Sequence, residues 1–188
     1  MRLLLAGLAL FLGIHFVPAL PSVRGAVVAK YGERRYKGVF ALVSAIGLAL
    51  IVVGYIVADD RTRVFAPFPA ARAIAPYALS ISFVLFAAAN MRGHLRHIVR
   101  HPMLLGLAIW ATVHLLANGD RVGTVLFGAF LAFAAIDLVS AIGRGAFKDF
   151  VPEIKYDAIA VVGGIGVALV VMALHRVLFG VAVTGFSI

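Results

Sequence analysis

Six runs of mostly apolar residues, each close to the length of a bilayer crossing, make up most of this 188-residue chain. They are Leu3 to Leu20, Val39 to Ala58, Ala73 to Met91, Pro102 to Asn118, Val122 to Ile142 and Ala158 to Gly180. A helix needs about 20 apolar residues to cross ~30 Å of hydrocarbon, because each residue advances it by ~1.5 Å. With 63% hydrophobic and 13% charged residues the chain is too apolar for a soluble domain. The expected fold is all-α: an integral membrane bundle of about six transmembrane helices. It forms a single domain over residues 1–188, without internal repeats or long linkers.

The 17 Lys and Arg residues give a net charge of +9, but they sit in short spacers between the apolar runs, which argues against a nucleic-acid partner. Loops Pro21 to Gly38, Arg92 to His101 and Gly143 to Asp157 carry eleven of them, and the opposite side carries six. The richer loops are expected in the cytoplasm and both termini outside. Arg2 before an apolar stretch has the look of a signal peptide, but the apolar run continues through Phe16 to Leu20 with no small-residue cleavage site. The segment is therefore kept in the mature protein. The absence of cysteine excludes disulfides, thiolate metal sites, iron–sulfur clusters and covalent haem attachment.

Ionisable groups at membrane depth are costly and mark candidate sites. Here they are His15, His114, Asp137 and His175. Trp110, His114 and Asn118 recur at i, i+4, i+8 and share one helix face. His101, at the start of the same helix, is about 20 Å from His114 along the axis, too far to share a ligand with it. His94, His97 and His101 fall on one face and Arg92, Arg96 and Arg100 on another. This reads as a helix end meeting lipid phosphates, or as a contact for haem propionates or another anion. The segment contains no carboxylate, which disfavours a transition metal. Asp137 can pair with Arg144 or meet His101 at the start of the fourth run, a structural ion pair favoured over a proton relay. The stripe Ala160-x-x-x-Gly164-x-x-x-Ala168 is read as plain helix packing. A lone intramembrane His is ordinarily hydrogen-bonded to its neighbours. Two of them on different helices can also hold b-type haem without cysteine, so both readings stand on the residues alone.

The run His101-Pro-Met-Leu-Leu-Gly-Leu-Ala-Ile-Trp110-Ala-Thr-Val-His114-Leu-Leu-Ala-Asn118-Gly-Asp120 resembles the signature of the NnrU family. The resemblance extends to Leu126-Phe-Gly128, to Gly13-Ile-His15 and to Gly32-Glu-Arg-Arg-Tyr36. Such proteins are bacterial membrane proteins associated with denitrification and nitric-oxide metabolism, related to 15-cis-zeta-carotene isomerase. The isomerase branch carries haem b with two axial histidines, and by position these fall on His15 and His114. The resemblance thus implies haem b (iron) held by His15 and His114; Trp110 and Asn118, which share the His114 face, and Arg96, Arg100 and His101 of the anion-contact segment are the further candidate cofactor residues. It implies residence in the bacterial inner membrane; with the charge count above, both termini are then expected in the periplasm, and membrane lipids are the expected partners. His15 is followed by Phe16-Val17-Pro18 where the isomerase has small polar residues.

Three functions follow as expectations. The first is a haem-binding membrane protein of nitrogen-oxide metabolism. The second is a haem-dependent cis–trans isomerase acting on a carotenoid or another hydrophobic polyene. The third is a haem-free transporter, which the lack of matching Gly/Pro breaks in two halves disfavours. Helix one is expected to continue, kinked, through Pro18 and Pro21 as far as Lys30, and His175 is not expected to be a ligand.

Overall fold

The computed structural model describes residues 1–147, 149–180 and 183; Lys148 of the third basic loop and the C-terminal residue Ile188 lie outside the described residues. Among the described residues eight helices follow one another: α1 (Arg2–Phe16), α2 (Pro21–Tyr31), α3 (Glu33–Ile56), α4 (Pro69–Ala88), α5 (His94–Val99), α6 (Pro102–Asn118), α7 (Arg121–Gly143) and α8 (Ile154–Phe179). No β-strand occurs among the described residues; the one extended pairing is an isolated bridge between Arg63 and Asp120. The fold is all-helical.

Four helices, α3, α4, α7 and α8, are long and apolar enough to cross a membrane, and α1 with α2 forms a bent pair that passes the same test. At 17 residues α6 is shorter and also apolar. It is about 26 Å long, at the lower limit of a crossing. Six apolar runs in the sequence therefore correspond to four long helices, one short one and one broken pair.

The broken pair corrects the expectation of a single kinked helix. The axes of α1 and α2 differ by 87° across residues 17–20. A proline lacks the N–H that continues a helix, and its ring disfavours helical geometry in the residue before it. Pro18 and Pro21 together stop α1 at Phe16 and restart the chain in a new direction. Proline takes the first turn of α2, α4 and α6 as well, where a missing N–H costs nothing.

The chain divides into two compact units, one formed by Met1–Val64 with Asp120–Ala129, the other by Phe65–Gly119 with the described residues from Phe130 onward. In the first unit α1 and α3 run antiparallel with their backbones in contact. A Cβ on Gly7 would sit 2.6 Å from the Ile51 nitrogen, one on Gly47 would sit 2.8 Å from the Phe11 nitrogen, and one on Gly54 would run into the Leu4 backbone. Lipid gives two apolar helices no hydrophobic reason to associate, so this close van der Waals seam is what joins them. The Asp59–Phe68 connection begins in this unit, where the Asp60 carboxylate meets the Arg121 guanidinium at 2.7 Å and accepts the Thr62 hydroxyl at 2.7 Å.

In the second unit α4 packs against both α6 and α8. On the α6 side the fully buried Ser82 hydroxyl donates to the Gly106 carbonyl at 2.7 Å. On the α8 side Ala160, Gly164 and Ala168 form the buried stripe, and a Gly164 Cβ would lie 2.5 Å from the Val84 Cα. The packing role expected for that stripe is what the structure shows.

Candidate functional site

The stripe on α6 holds together as the sequence implied, because α6 is unbroken from Pro102 to Asn118. The His114 Nδ1–H donates to the Trp110 carbonyl at 2.8 Å, and the Asn118 side-chain amide donates to the His114 carbonyl at 2.7 Å. A carbonyl can only accept, so Nδ1 carries a proton and the neutral ring keeps its lone pair on Nε2. The Trp110 ring lies 5.0 Å from His114 and meets Phe130 edge-on at 5.6 Å.

A neighbour that the sequence reading did not bring to this face is His175. Its ring stands 6.4 Å from that of His114, nearly parallel, with Phe179 on its other flank at 4.8 Å. The two histidines are 61 positions apart, and only the fold of the second unit places them side by side.

His15 lies in the last turn of α1, in the first unit. It repeats the arrangement of His114: its Nδ1–H donates to the carbonyl four residues earlier, Phe11, at 2.6 Å. The ring is bracketed by Phe11 at 4.3 Å and by the edge of Phe40 at 5.0 Å. Tyr36, Phe40 and Ser44 follow one another at i, i+4, i+8 on α3, and the Tyr36 and Ser44 hydroxyls are buried without a hydrogen-bond partner. Buried hydroxyls are normally paired, because an unpaired one costs about 1–3 kcal/mol. These two therefore mark a face with unmet polar capacity beside His15.

The basic segment folds differently from the two stripes expected of it. Helix α5 ends at Val99, and Arg100 takes φ 62° and ψ −49° in a tight turn closed by the His101 N–H donating to the Val99 carbonyl at 2.7 Å, a positive φ unusual for a residue other than glycine. The turn breaks the helical register between His97 and His101, so the three histidines do not share a face. His94 Nδ1–H donates to the Asp157 carboxylate at 2.8 Å, and His97 meets the rings of Phe147 at 6.0 Å and Phe150 at 5.7 Å edge-on, 3.8 Å from an Asp149 oxygen. His101 is the residue that caps α6. The guanidinium of Arg96 rests over Phe150 and that of Arg100 over Phe147. Carboxylates thus do reach this segment, from positions far along the chain. Among the described residues no three His, Asp or Glu side chains gather as a metal site.

Asp137 pairs with Arg144 at 3.5 Å, one of the two partners open from the sequence, and Arg144 also bonds the Ser140 hydroxyl. Asp157 is the functional-looking carboxylate that sequence reasoning missed. The only hint was an acid at the start of a very apolar helix, which served merely as the boundary of a loop.

Fold and site together define a polytopic helical membrane protein with histidines embedded in its apolar segments, two of them in the same hydrogen-bonded setting. The NnrU protein family model matches residues 3–183, and the chain belongs to the NnrU family. No curated protein and no solved structure matches it.

Proposed function

We propose that this NnrU protein is a multi-pass protein of the bacterial inner membrane, with periplasmic termini, in which His15 and His114 would hold haem b, and that it serves nitrogen-oxide metabolism. The observation that carries the reading is the shared setting of these two imidazoles. Each donates its Nδ1–H to the carbonyl four residues before it, at 2.6 Å for His15 and 2.8 Å for His114. Metal-ligating histidines almost always hold their second nitrogen in this way, which fixes the tautomer and raises the basicity of the ligating nitrogen.

The surrounding residues fit the group. Within the first unit Phe11 and Phe40 supply aromatic surface to His15, and the unpaired Tyr36 and Ser44 hydroxyls are donors for a carboxylate such as a haem propionate; within the second unit Trp110 supplies aromatic surface to His114. Bound haem supplies one-electron chemistry, and the protein sets its potential through axial ligand, burial and hydrogen bonding. The chain's own contribution is to hold two imidazoles in fixed orientation, each Nδ1–H tied to a backbone carbonyl.

The test is the absorption spectrum of detergent-purified protein, oxidised and then reduced with dithionite. A six-coordinate low-spin b-type spectrum is expected. His15→Gly and His114→Gly should each abolish it, and added imidazole should restore it. A low-spin spectrum unchanged in either variant, or no haem uptake on reconstitution of the folded protein, overturns the assignment.

A further inference from the structure

In the second unit, two cavities share one wall. The first, about 380 Å³, is mostly apolar and is lined by Arg100, His101, Leu105, Leu138 and Ile142 among others. The second, about 410 Å³, is polar and is bounded by His97, Arg100 and Asp149. Arg100 and Phe147 line both. Apolar space, a guanidinium and then a carboxylate therefore follow one another in sequence.

That order matches an aminophospholipid: acyl chain, phosphate, ammonium. We propose that this pair of cavities binds one phospholipid with an ethanolamine headgroup, its chain against Leu105, Leu138 and Ile142, its phosphate at Arg100 and its ammonium at Asp149. A guanidinium offers paired N–H donors that suit phosphate oxygens. Basic residues at the cytoplasmic surface would follow from membrane topology alone. Asp149, with a side chain 87% exposed, does not follow from it, and its carboxylate is what selects a headgroup bearing both charges.

The backbone gives a second sign that Arg100 is placed for a purpose. Its φ of 62° is strained for any residue with a Cβ, whereas glycine would adopt it freely. The chain keeps an arginine at a position where glycine is the relaxed choice, and its guanidinium stands over Phe147 at the wall common to both cavities.

The experiment is native mass spectrometry of the delipidated full-length protein, titrated with phosphatidylethanolamine, with phosphatidylglycerol and with glycerophosphoethanolamine lacking acyl chains. The wild type should retain one phosphatidylethanolamine in preference to phosphatidylglycerol. Arg100→Gly, which relieves the backbone and leaves the protein folded, should weaken both lipids about tenfold, as loss of a charge-assisted contact does. Asp149→Asn should erase the preference between the two lipids and leave phosphatidylglycerol binding unchanged. Equal binding of the two lipids by the wild type overturns the proposal. So does an Asp149→Asn variant that keeps the preference, or tight binding of the chain-free headgroup, which would indicate a site for a soluble phosphoester. Because Arg35→Gln alters a basic residue of α3 instead, a comparable loss in that variant would show nonspecific attraction and also overturn it.

Discussion

The imidazole of His94 and the carboxylate of Asp157 meet at 2.8 Å, although 63 residues separate them in the chain. The same carboxylate accepts the backbone N–H groups of His94 at 2.9 Å and Leu95 at 2.8 Å. Asp157 of α8 thus acts as the N-terminal cap of α5, a role that a residue just before the helix usually fills. Gly93 occupies that place, and a Cβ there would collide with the Asp157 carboxylate.

Removing this distant cap leaves two backbone donors unpaired, and capping groups contribute about 0.5–2 kcal/mol each. Asp157→Ala is expected to lower the thermal midpoint in detergent and to expose residues 92–101 to protease. Asp157→Asn, which keeps one acceptor oxygen, should do about half as much. Gly93→Ala should resemble Asp157→Ala through steric displacement of the same carboxylate. Unchanged protection of the segment in all three variants would show that the contact is incidental.

Adjacent glycines of α8 separate contact from composition. A Cβ on Gly164 meets the α4 backbone, whereas one on Gly163 meets nothing within 4 Å. Gly164→Ala should destabilise the second unit by about 1–3 kcal/mol through overpacking. Gly163→Ala should be neutral or stabilising by up to about 1 kcal/mol from helix propensity. In the first unit Gly54→Leu is expected to part α1 from α3, seen as loss of a disulfide engineered across the seam.

Asp60 lies in an exposed connection, and its carboxyl is held below the usual carboxylate value, chiefly by the Thr62 hydroxyl and further by the Arg121 guanidinium. A lowered folded-state value means the ionised form favours the folded loop. The contribution is complete above the unfolded value near ~3.9 and disappears as pH falls through the lower, folded one. Hydrogen exchange in residues 59–64, corrected for intrinsic rate, should be flat from pH 7 to about 5 and rise only below about pH 4. Asp60→Asn should show the raised exchange at every pH.

His175 stands 6.4 Å from His114 without being assigned to the iron. His175→Ala should leave a low-spin spectrum in place and shift the midpoint potential, because it changes the polarity around a ligand and not the ligand itself. Loss of the low-spin signal would make His175 a ligand.

Reporter fusions after residues 38 and 100 should read cytoplasmic, and one at Ile188 periplasmic. The basis is the excess of Lys and Arg in the loops containing the first two positions. A cytoplasmic reading at Ile188 would require an odd number of crossings.

Apolar runs and prolines were legible in the sequence because each acts locally. Run length sets whether a helix can span, and Pro102 opens α6 as its chemistry requires. The face shared by Trp110, His114 and Asn118 was legible for the same reason, since helical period alone creates it. The failures involve direction or distance. Nothing in Pro18 and Pro21 states that the chain turns by 87° rather than kinking. A helical wheel also cannot foresee that Arg100 takes a positive φ and scatters the three histidines. Asp157 and His175 act through partners some 60 residues away, and such pairs exist only once α4, α6 and α8 have packed.

The glycine seam also has a consequence for how the protein is made. Gly7 on α1 and Gly47 on α3 share the seam, so one face of it is synthesised 40 residues before the other. At ~5–20 residues per second that is an interval on the order of a few seconds. During it α1 must remain in the membrane with its seam against lipid, although its 15 residues reach only about 22 Å. Leu3, Leu5 and Leu10, still exposed in the finished fold, are the side chains that anchor it during that wait. A chain released before Gly54 emerges would carry an α1 that has entered the bilayer with only part of its mate.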